Sequence, residues 1–225
     1  MKVNTDGVLL GAAAMLPPGC RSVLDAGTGT GTIALILAQR LADAPDAGIL
    51  GIDIDLASAE EAAQNFGRSP WAGRLEARYL SLSALDNESG QYDLIVSNPP
   101  YFDASLPNPE ERKKTSRHTS EDGEELSYRT LIRFAVGHLS PEGRLSMILP
   151  SPVETALLRY AAGFGLYPGR LLRIRTVERK MPLRLIAEFT KVHAPLQEET
   201  LVLRNENGYT QEYTTLTEPF YISLK

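Results

Sequence analysis

Val23-Leu24-Asp25-Ala26-Gly27-Thr28-Gly29-Thr30-Gly31-Thr32 is the stretch on which the fold turns. A short apolar run ends at Asp25, glycine then occupies every second position, and an apolar segment resumes over Ile33–Leu41. That order predicts a buried strand, a tight turn and a helix. Glycine at such a turn lets a ligand approach the backbone, because no Cβ intervenes.

Working outward, the same strand-then-helix rhythm repeats. Ile49–Ile54 reads as a second strand, followed by a helix over Asp55–Phe66 with Asp55 as its cap. Leu75–Leu82 is a third strand, and Tyr92–Ser97 a fourth whose Asp-Leu-Ile-Val core suits burial on both faces. A polar segment, Asp103–Glu125, precedes a helix (Leu126–His138), a strand (Arg144–Leu149) and a helix (Val153–Phe164). This alternation predicts an α/β fold with a mostly parallel sheet and helices on both faces. Leu171–Val177 and Arg184–Val192 read as an antiparallel pair closing one edge, and Leu201–Arg204 with Tyr209–Tyr213 as a hairpin around Asn207-Gly208.

The chain has 225 residues, 43% of them hydrophobic and 23% charged, which suits one globular domain. A formal net charge of −5 argues against a wholly basic nucleic-acid coat but leaves local patches open. Cys20 is the only cysteine, which excludes a disulfide framework within the chain and fits a reducing cytoplasm. The apolar stretch Val8–Leu16 is too short to cross a bilayer, and Asp6 and Pro17-Pro18 spoil a signal-peptide pattern. It reads as a buried helix, with no membrane association.

The turn admits two cofactor classes. A dinucleotide fingerprint needs glycine at its first, third and sixth places, and here the sixth is Thr32. A carboxylate such as Asp25 repels a pyrophosphate and attracts a cationic methionine group. Asp25 with Gly27, Thr28, Gly29 and Gly31 therefore favours S-adenosyl-L-methionine. Asp53, bracketed by Ile52 and Ile54 at the end of the second strand, is placed to accept both ribose hydroxyls of an adenosine.

Ser97-Asn98-Pro99-Pro100-Tyr101-Phe102 follows the fourth strand directly. Read plainly, it is a strand end stopped by prolines. Yet Asn98 would open onto the same crevice as the glycines. An exocyclic amine on adenine is a poor nucleophile, its lone pair being delocalised into the ring. Acceptors on both amino hydrogens, from the Asn98 side chain and the Pro99 carbonyl, let that lone pair turn toward a methyl donor. Pro99 and Pro100 fix the turn in advance, and Tyr101 with Phe102 offers a stacking face for a flipped base. No strong general base is required.

Together these motifs resemble adenosylmethionine-dependent methyltransferases of the Rossmann-like class I fold, over Ser22–Val192. More narrowly, Met1–Gly11, Ser97–Phe102 and Arg117-His118-Thr119 resemble the bacterial tRNA1(Val) (adenine-37-N6)-methyltransferases. The resemblance implies an anticodon-loop adenosine of valine tRNA as substrate, and a seven-stranded sheet whose last strand is antiparallel. It implies one domain over residues 1–225: a leading segment (1–21) with Lys2, Thr5 and Asp6 near the cofactor, a core (22–192) and a hairpin extension (193–225). Family members usually carry a short strand before the Met-Lys-Val segment, at which this chain begins. They often carry an acid after the third strand that contacts the adenine amino group. Here Ser81-Leu82-Ser83 stands there, so a serine hydroxyl or backbone group of Ser81 or Leu82 takes that role.

Two basic groups offer RNA contacts. One is Arg112, Lys113, Lys114, Arg117 and His118 in the long loop, and the other lies in the late strands, with Arg173 and Arg175 on one face. Either group would equally serve as solvated surface. The histidines are too scattered for a metal site, Trp71 reads as packing, and a monomer is expected. A protein-glutamine or guanine-amine rRNA methyltransferase shares the chemistry but brings a further domain, as does a DNA adenine methyltransferase. A non-catalytic RNA-binding protein on this fold would have no need of Asp25, Asp53 and Asn98.

Overall fold

A computed structural model describes residues 5–100 and 126–221. In chain order it contains α1 (Thr5–Ala13), β1 (Ser22–Ala26), α2 (Thr32–Arg40), β2 (Gly48–Asp53), α3 (Leu56–Arg68), β3 (Leu75–Tyr79), α4 (Leu82–Leu85) and β4 (Tyr92–Ser97). Then come α5 (Tyr128–His138), β5 (Leu139–Pro150), α6 (Glu154–Gly163), β6 (Tyr167–Val177), β7 (Arg184–Thr190), β8 (Gln197–Asn205), β9 (Gly208–Tyr209) and α7 (Gln211–Thr217).

The strands of the described residues join one sheet in the order β3-β2-β1-β4-β5-β7-β6-β8-β9. β3, β2, β1, β4 and β5 are mutually parallel, and β7 runs antiparallel between β5 and β6. The order therefore reverses between β1 and β4, which leaves a crevice at their carboxyl ends. Strand β4 is buried on both faces, as its composition predicted. Leu94 and Val96 pack with Leu10, Leu37 and Phe66 of α1, α2 and α3, whereas Ile95 packs with Leu85, Leu131 and Leu157 of α4, α5 and α6.

Among the described residues the sheet has nine strands, where seven were expected. The expected edge pair β6/β7 does form, but β8 adds parallel to β6 and covers that edge, and two-residue β9 follows. The expected strand Tyr209–Tyr213 stops at Tyr209 and becomes helix α7. Thr210 makes the switch: its Oγ1 accepts from Tyr213 N at 3.2 Å and donates to Val202 O at 2.5 Å. Tyr213 then turns inward onto the core that holds α1.

Helix α1 is the buried helix expected from Val8–Leu16, and a charged network fixes its far end. The Glu188 carboxylate, wholly buried in β7, accepts from Met15 N (3.0 Å), Arg144 (3.0 Å) and Arg170 (3.2 Å). Arg170 also donates to Ala13 O and grips Glu199 through two nitrogens, and Arg40 donates to Gly11 O and Ala14 O. At its other end Asp6 pairs with Arg184 at 2.8 Å, beside the carboxyl end of β5. Trp71 packs half-buried against the core, as expected. No helix among the described residues is long and apolar enough to cross a membrane.

Candidate active site

The turn after β1 explains its own composition. Gly27 N and Thr28 N both donate to Ile52 O at 2.9 Å, which ties the turn to β2. Gly27, Gly29 and Gly31 have φ of 73°, 57° and 82°, the left-handed region that other residues resist. A Cβ on Gly27 would also lie 2.6 Å from the Leu126 side chain. The alternating glycines are thus three left-handed kinks in a row.

Asp25 lies beneath this turn. Its side chain is fully buried, with Oδ2 accepting from Thr28 Oγ1 (2.8 Å) and Ala34 N (3.2 Å). Oδ1 has no hydrogen-bond partner among the described residues. Burial raises the carboxyl to about 7, against the Thr28 and Ala34 hydrogen bonds that favour its charge. Asp25 was expected to face the cofactor. It instead braces the turn against α2 from behind, off the cavity wall, because its position in β1 directs the carboxylate toward the start of that helix. Thr28 and Gly31 likewise support the turn from below, Thr28 packed under Gly51 and Gly31 against Phe66.

A cavity of about 480 Å³ opens above the turn. Gly27 and Gly29 form one wall, and beside them stands Asp53. Its Oδ2 accepts from Gly29 N and its Oδ1 from Asp55 N, both at 2.9 Å. Each carboxylate oxygen has a second lone pair, so the group can also accept from a bound diol. Asp55 caps α3 as expected, accepting from Ser58 N (3.1 Å) and Ser58 Oγ (2.7 Å), and Ser58 reaches the cavity.

Asn98 and Pro100 enter the same cavity from the end of β4. Ser97 positions them: buried, it donates to Ala26 O at 2.7 Å and clamps the end of β4 to the end of β1. Pro99 is buried behind them. The remaining walls mix apolar and polar side chains. Ile54, Leu80 and Leu82 face Leu126 and Phe134, with Thr130 and Arg133 on the same side of α5. Ser81 is on the wall too, but its hydroxyl already caps α4, accepting from Ala84 N at 3.1 Å. Asp86, one turn on, also reaches the cavity.

The structure thus brings Gly27, Gly29, Asp53, Ile54, Ser81, Leu82, Asn98 and Pro100 together. It does not bring Thr5 and Asp6 to the cavity wall: Thr5 is exposed and Asp6 is engaged with Arg184. Lys2, Tyr101, Phe102, Arg112, Lys113, Lys114, Arg117 and His118 lie outside the described residues. Of the late-strand cations, Arg173 is held between Glu154 and Glu198, whose hydrogen bonds push its pKa still higher. Its charge is already matched, which removes the reason to assign it to phosphate. Arg175 donates to Glu178 O at 3.1 Å. Sequence reading missed Ser97, Ser58 and the α5 wall. The four-residue spacing of Leu126, Thr130 and Phe134 was the available signal for that wall. Among the described residues, no cluster of three or more His, Cys, Asp or Glu could hold a metal ion.

Comparison with known proteins agrees with this geometry. A family profile described as a methyltransferase domain matches residues 23–123. The tRNA1(Val) (adenine(37)-N6)-methyltransferase of Bacteroides fragilis is 39% identical over 227 residues, covering 100% of this chain and 92% of its own length. The enzyme of the same name from Porphyromonas gingivalis is 40% identical, covering 98% of this chain and 89% of its own length. Among solved structures, a predicted O-methyltransferase from Agrobacterium tumefaciens superposes with a TM-score of 0.67 at 19% identity, over 95% of this chain and 96% of that one, which speaks to fold alone. TrmN from Thermus thermophilus gives 0.56 at 25% identity, over 82% of this chain and 47% of that one.

Proposed function

Because the chain belongs to the tRNA1(Val) (adenine(37)-N6)-methyltransferase family, we propose that it methylates N6 of an anticodon-loop adenosine in valine tRNA, with S-adenosyl-L-methionine as donor. One observation carries the reading: Asn98 opens into the same cavity as Gly27, Gly29 and Asp53.

The cavity's chemistry fits the donor. The glycine turn leaves backbone at the wall where a side chain would intrude. Asp53 suits the ribose hydroxyls, and Ile54, Leu80, Leu82, Leu126 and Phe134 make an apolar slot for a purine. The donor, when bound, supplies a methyl group made electrophilic by a positive sulfur. The protein's own task is placement. In this reading the Asn98 side-chain carbonyl and the Pro99 carbonyl each accept one amino hydrogen of the target adenine. The nitrogen lone pair is then freed from the ring and aimed into the cavity. The Ser97–Ala26 bond keeps this acceptor pair level with the glycine turn, so the gain is preorganisation rather than acid–base catalysis. Tyr101 and Phe102 serve as the stacking face, and Lys2, Arg112, Lys113, Lys114, Arg117 and His118 supply further cofactor and RNA contacts. Arg175, near the end of β6, remains a phosphate candidate. The reading extends to a monomer working in the cytoplasm, where tRNA is found.

Labelled methyl transfer offered in parallel to unmodified tRNA, DNA and small proteins tests the proposal, with nucleoside analysis of the product. Label recovered as N6-methyladenosine in tRNA supports it. Label in protein glutamine or in guanine would replace it with the corresponding amino-methyltransferase.

A further inference from the structure

Helix α5 lines the cavity, α6 packs against α5, and the pair carries an uneven charge. Helices α5 and α6 contain Arg129, Arg133 and Arg159, all exposed, and a single acid, Glu154. That acid is taken up by Arg173. In a protein of net charge −5 these two helices form an arginine-rich shoulder next to the proposed active site. Arg133 is itself on the cavity wall, and Arg129 lies one turn earlier on the same helix.

Arg129 is held in a particular posture. Its guanidinium carbon lies 5.6 Å from the Tyr128 ring centre and 5.2 Å from that of Tyr160, and its Nε donates to the Tyr128 hydroxyl at 3.2 Å. The two tyrosines meet edge to face at 6.1 Å. Phe164, 41% exposed, continues the aromatic row 4.9 Å from Tyr160. Exposed arginines ordinarily sample many rotamers. This one is held against two rings set at right angles to each other, while its position stays open to solvent.

We infer that the α5–α6 shoulder carries the RNA strand next to the methylated nucleotide. A base or ribose packs on Arg129, and a phosphate is met by Arg159. Guanidinium planes backed by aromatic rings are suited to unstacked single-stranded bases. The inference rests on RNA being the substrate, and it adds a surface made from residues of two helices that are about 30 positions apart in sequence.

The test uses the full chain and an unmodified tRNA transcript. KM, kcat, tRNA affinity at several salt concentrations and adenosylmethionine affinity are measured for wild type, Arg129→Ala, Arg129→Lys, Arg159→Glu and the Arg129→Ala/Arg159→Glu pair. Arg204→Ala serves as control, since Arg204, on β8, is already engaged by Tyr209, whose hydroxyl it meets at 2.9 Å. The pair is expected to raise KM about tenfold or more, leave kcat and cofactor affinity within about twofold, and lower the salt slope by at least about 0.7. Arg129→Lys is expected to keep the salt slope yet lose several-fold in affinity, because lysine has no plane to stack. Should Arg129→Ala unfold, Arg129→Lys and Arg159→Glu still decide the matter. If these variants match Arg204→Ala in KM and salt slope, the shoulder is not in the interface. If Arg129→Lys binds like wild type, the stacking contact is overturned. A wild-type protein that binds cofactor but methylates no RNA would instead overturn the proposed function.

Discussion

Replacing Asp25 by asparagine isolates the physics of the glycine turn. The carboxyl is raised from 3.8 to about 7, chiefly by burial. Between those values the folded protein holds a proton that the unfolded chain has released. Folding stability therefore falls as pH rises through this window, by about 1.4 kcal/mol per unit where the difference is one full proton. From pH 5 to pH 7 the slope weakens near the folded value, so the loss attributable to Asp25 is about 2 kcal/mol. Asparagine keeps an oxygen for Thr28 and Ala34 but has no proton to lose. Urea unfolding without cofactor, at half-unit steps from pH 5 to 7.5, gives the two stability curves. Asp93, Glu76 and Glu199, whose values are lowered, act with the opposite sign: their contribution is present above their unfolded values and lost as pH falls. Being present in both proteins, they cancel in the difference. The stability of wild type relative to the variant should decline by about 2 kcal/mol across pH 5–7. A difference that stays flat would mean that Asp25 is ionised throughout and that the burial argument is wrong.

Further outcomes follow from the same contacts. Gly27→Ala should cost about 1–2 kcal/mol from its left-handed backbone alone, and its Cβ would press on Leu126, so both the unfolding midpoint and cofactor affinity should drop; unchanged calorimetric titrations would contradict the proposed seat of the donor. Asp53→Ala should weaken cofactor binding by about 10- to 100-fold through loss of a charged acceptor, with a smaller effect on the fold, and binding within twofold of wild type would remove it from the ribose role. Glu188→Ala strands Arg144 and Arg170 without their buried partner, so chemical unfolding should show a loss of about 3–5 kcal/mol; a loss under about 1 kcal/mol would show that the network is well hydrated.

The parallel half of the fold was legible because short apolar runs in β1, β2 and β4 alternate with helical segments, apolar in α2 and amphipathic in α3 and α5. The late strands were harder. Whether Tyr209–Tyr213 continued as a strand depended on Thr210 capping a helix and on Tyr213 reaching α1, a tertiary contact that local pattern does not carry. At the site, Asp53 and Asn98 were legible because strand ends in an open α/β sheet point to one crevice. Asp25 misled for a specific reason. Its residue type suggested an electrostatic partner for the donor, but the pleat directs it under the turn. Arg173 misled similarly, since nothing local reveals that Glu154 and Glu198 close on it from a helix and a neighbouring strand.

The meeting of Asn98 and the methyl donor in one cavity is tested most directly by comparing Asn98→Ala with wild type in two assays on the same preparation: single-turnover methyl transfer to unmodified tRNA, and calorimetric titration with adenosylmethionine. Transfer is expected to fall by about a hundredfold or more while cofactor affinity changes by less than about threefold. Near-normal transfer, or an equal loss in both assays, would contradict the placement of Asn98 against the reacting nitrogen.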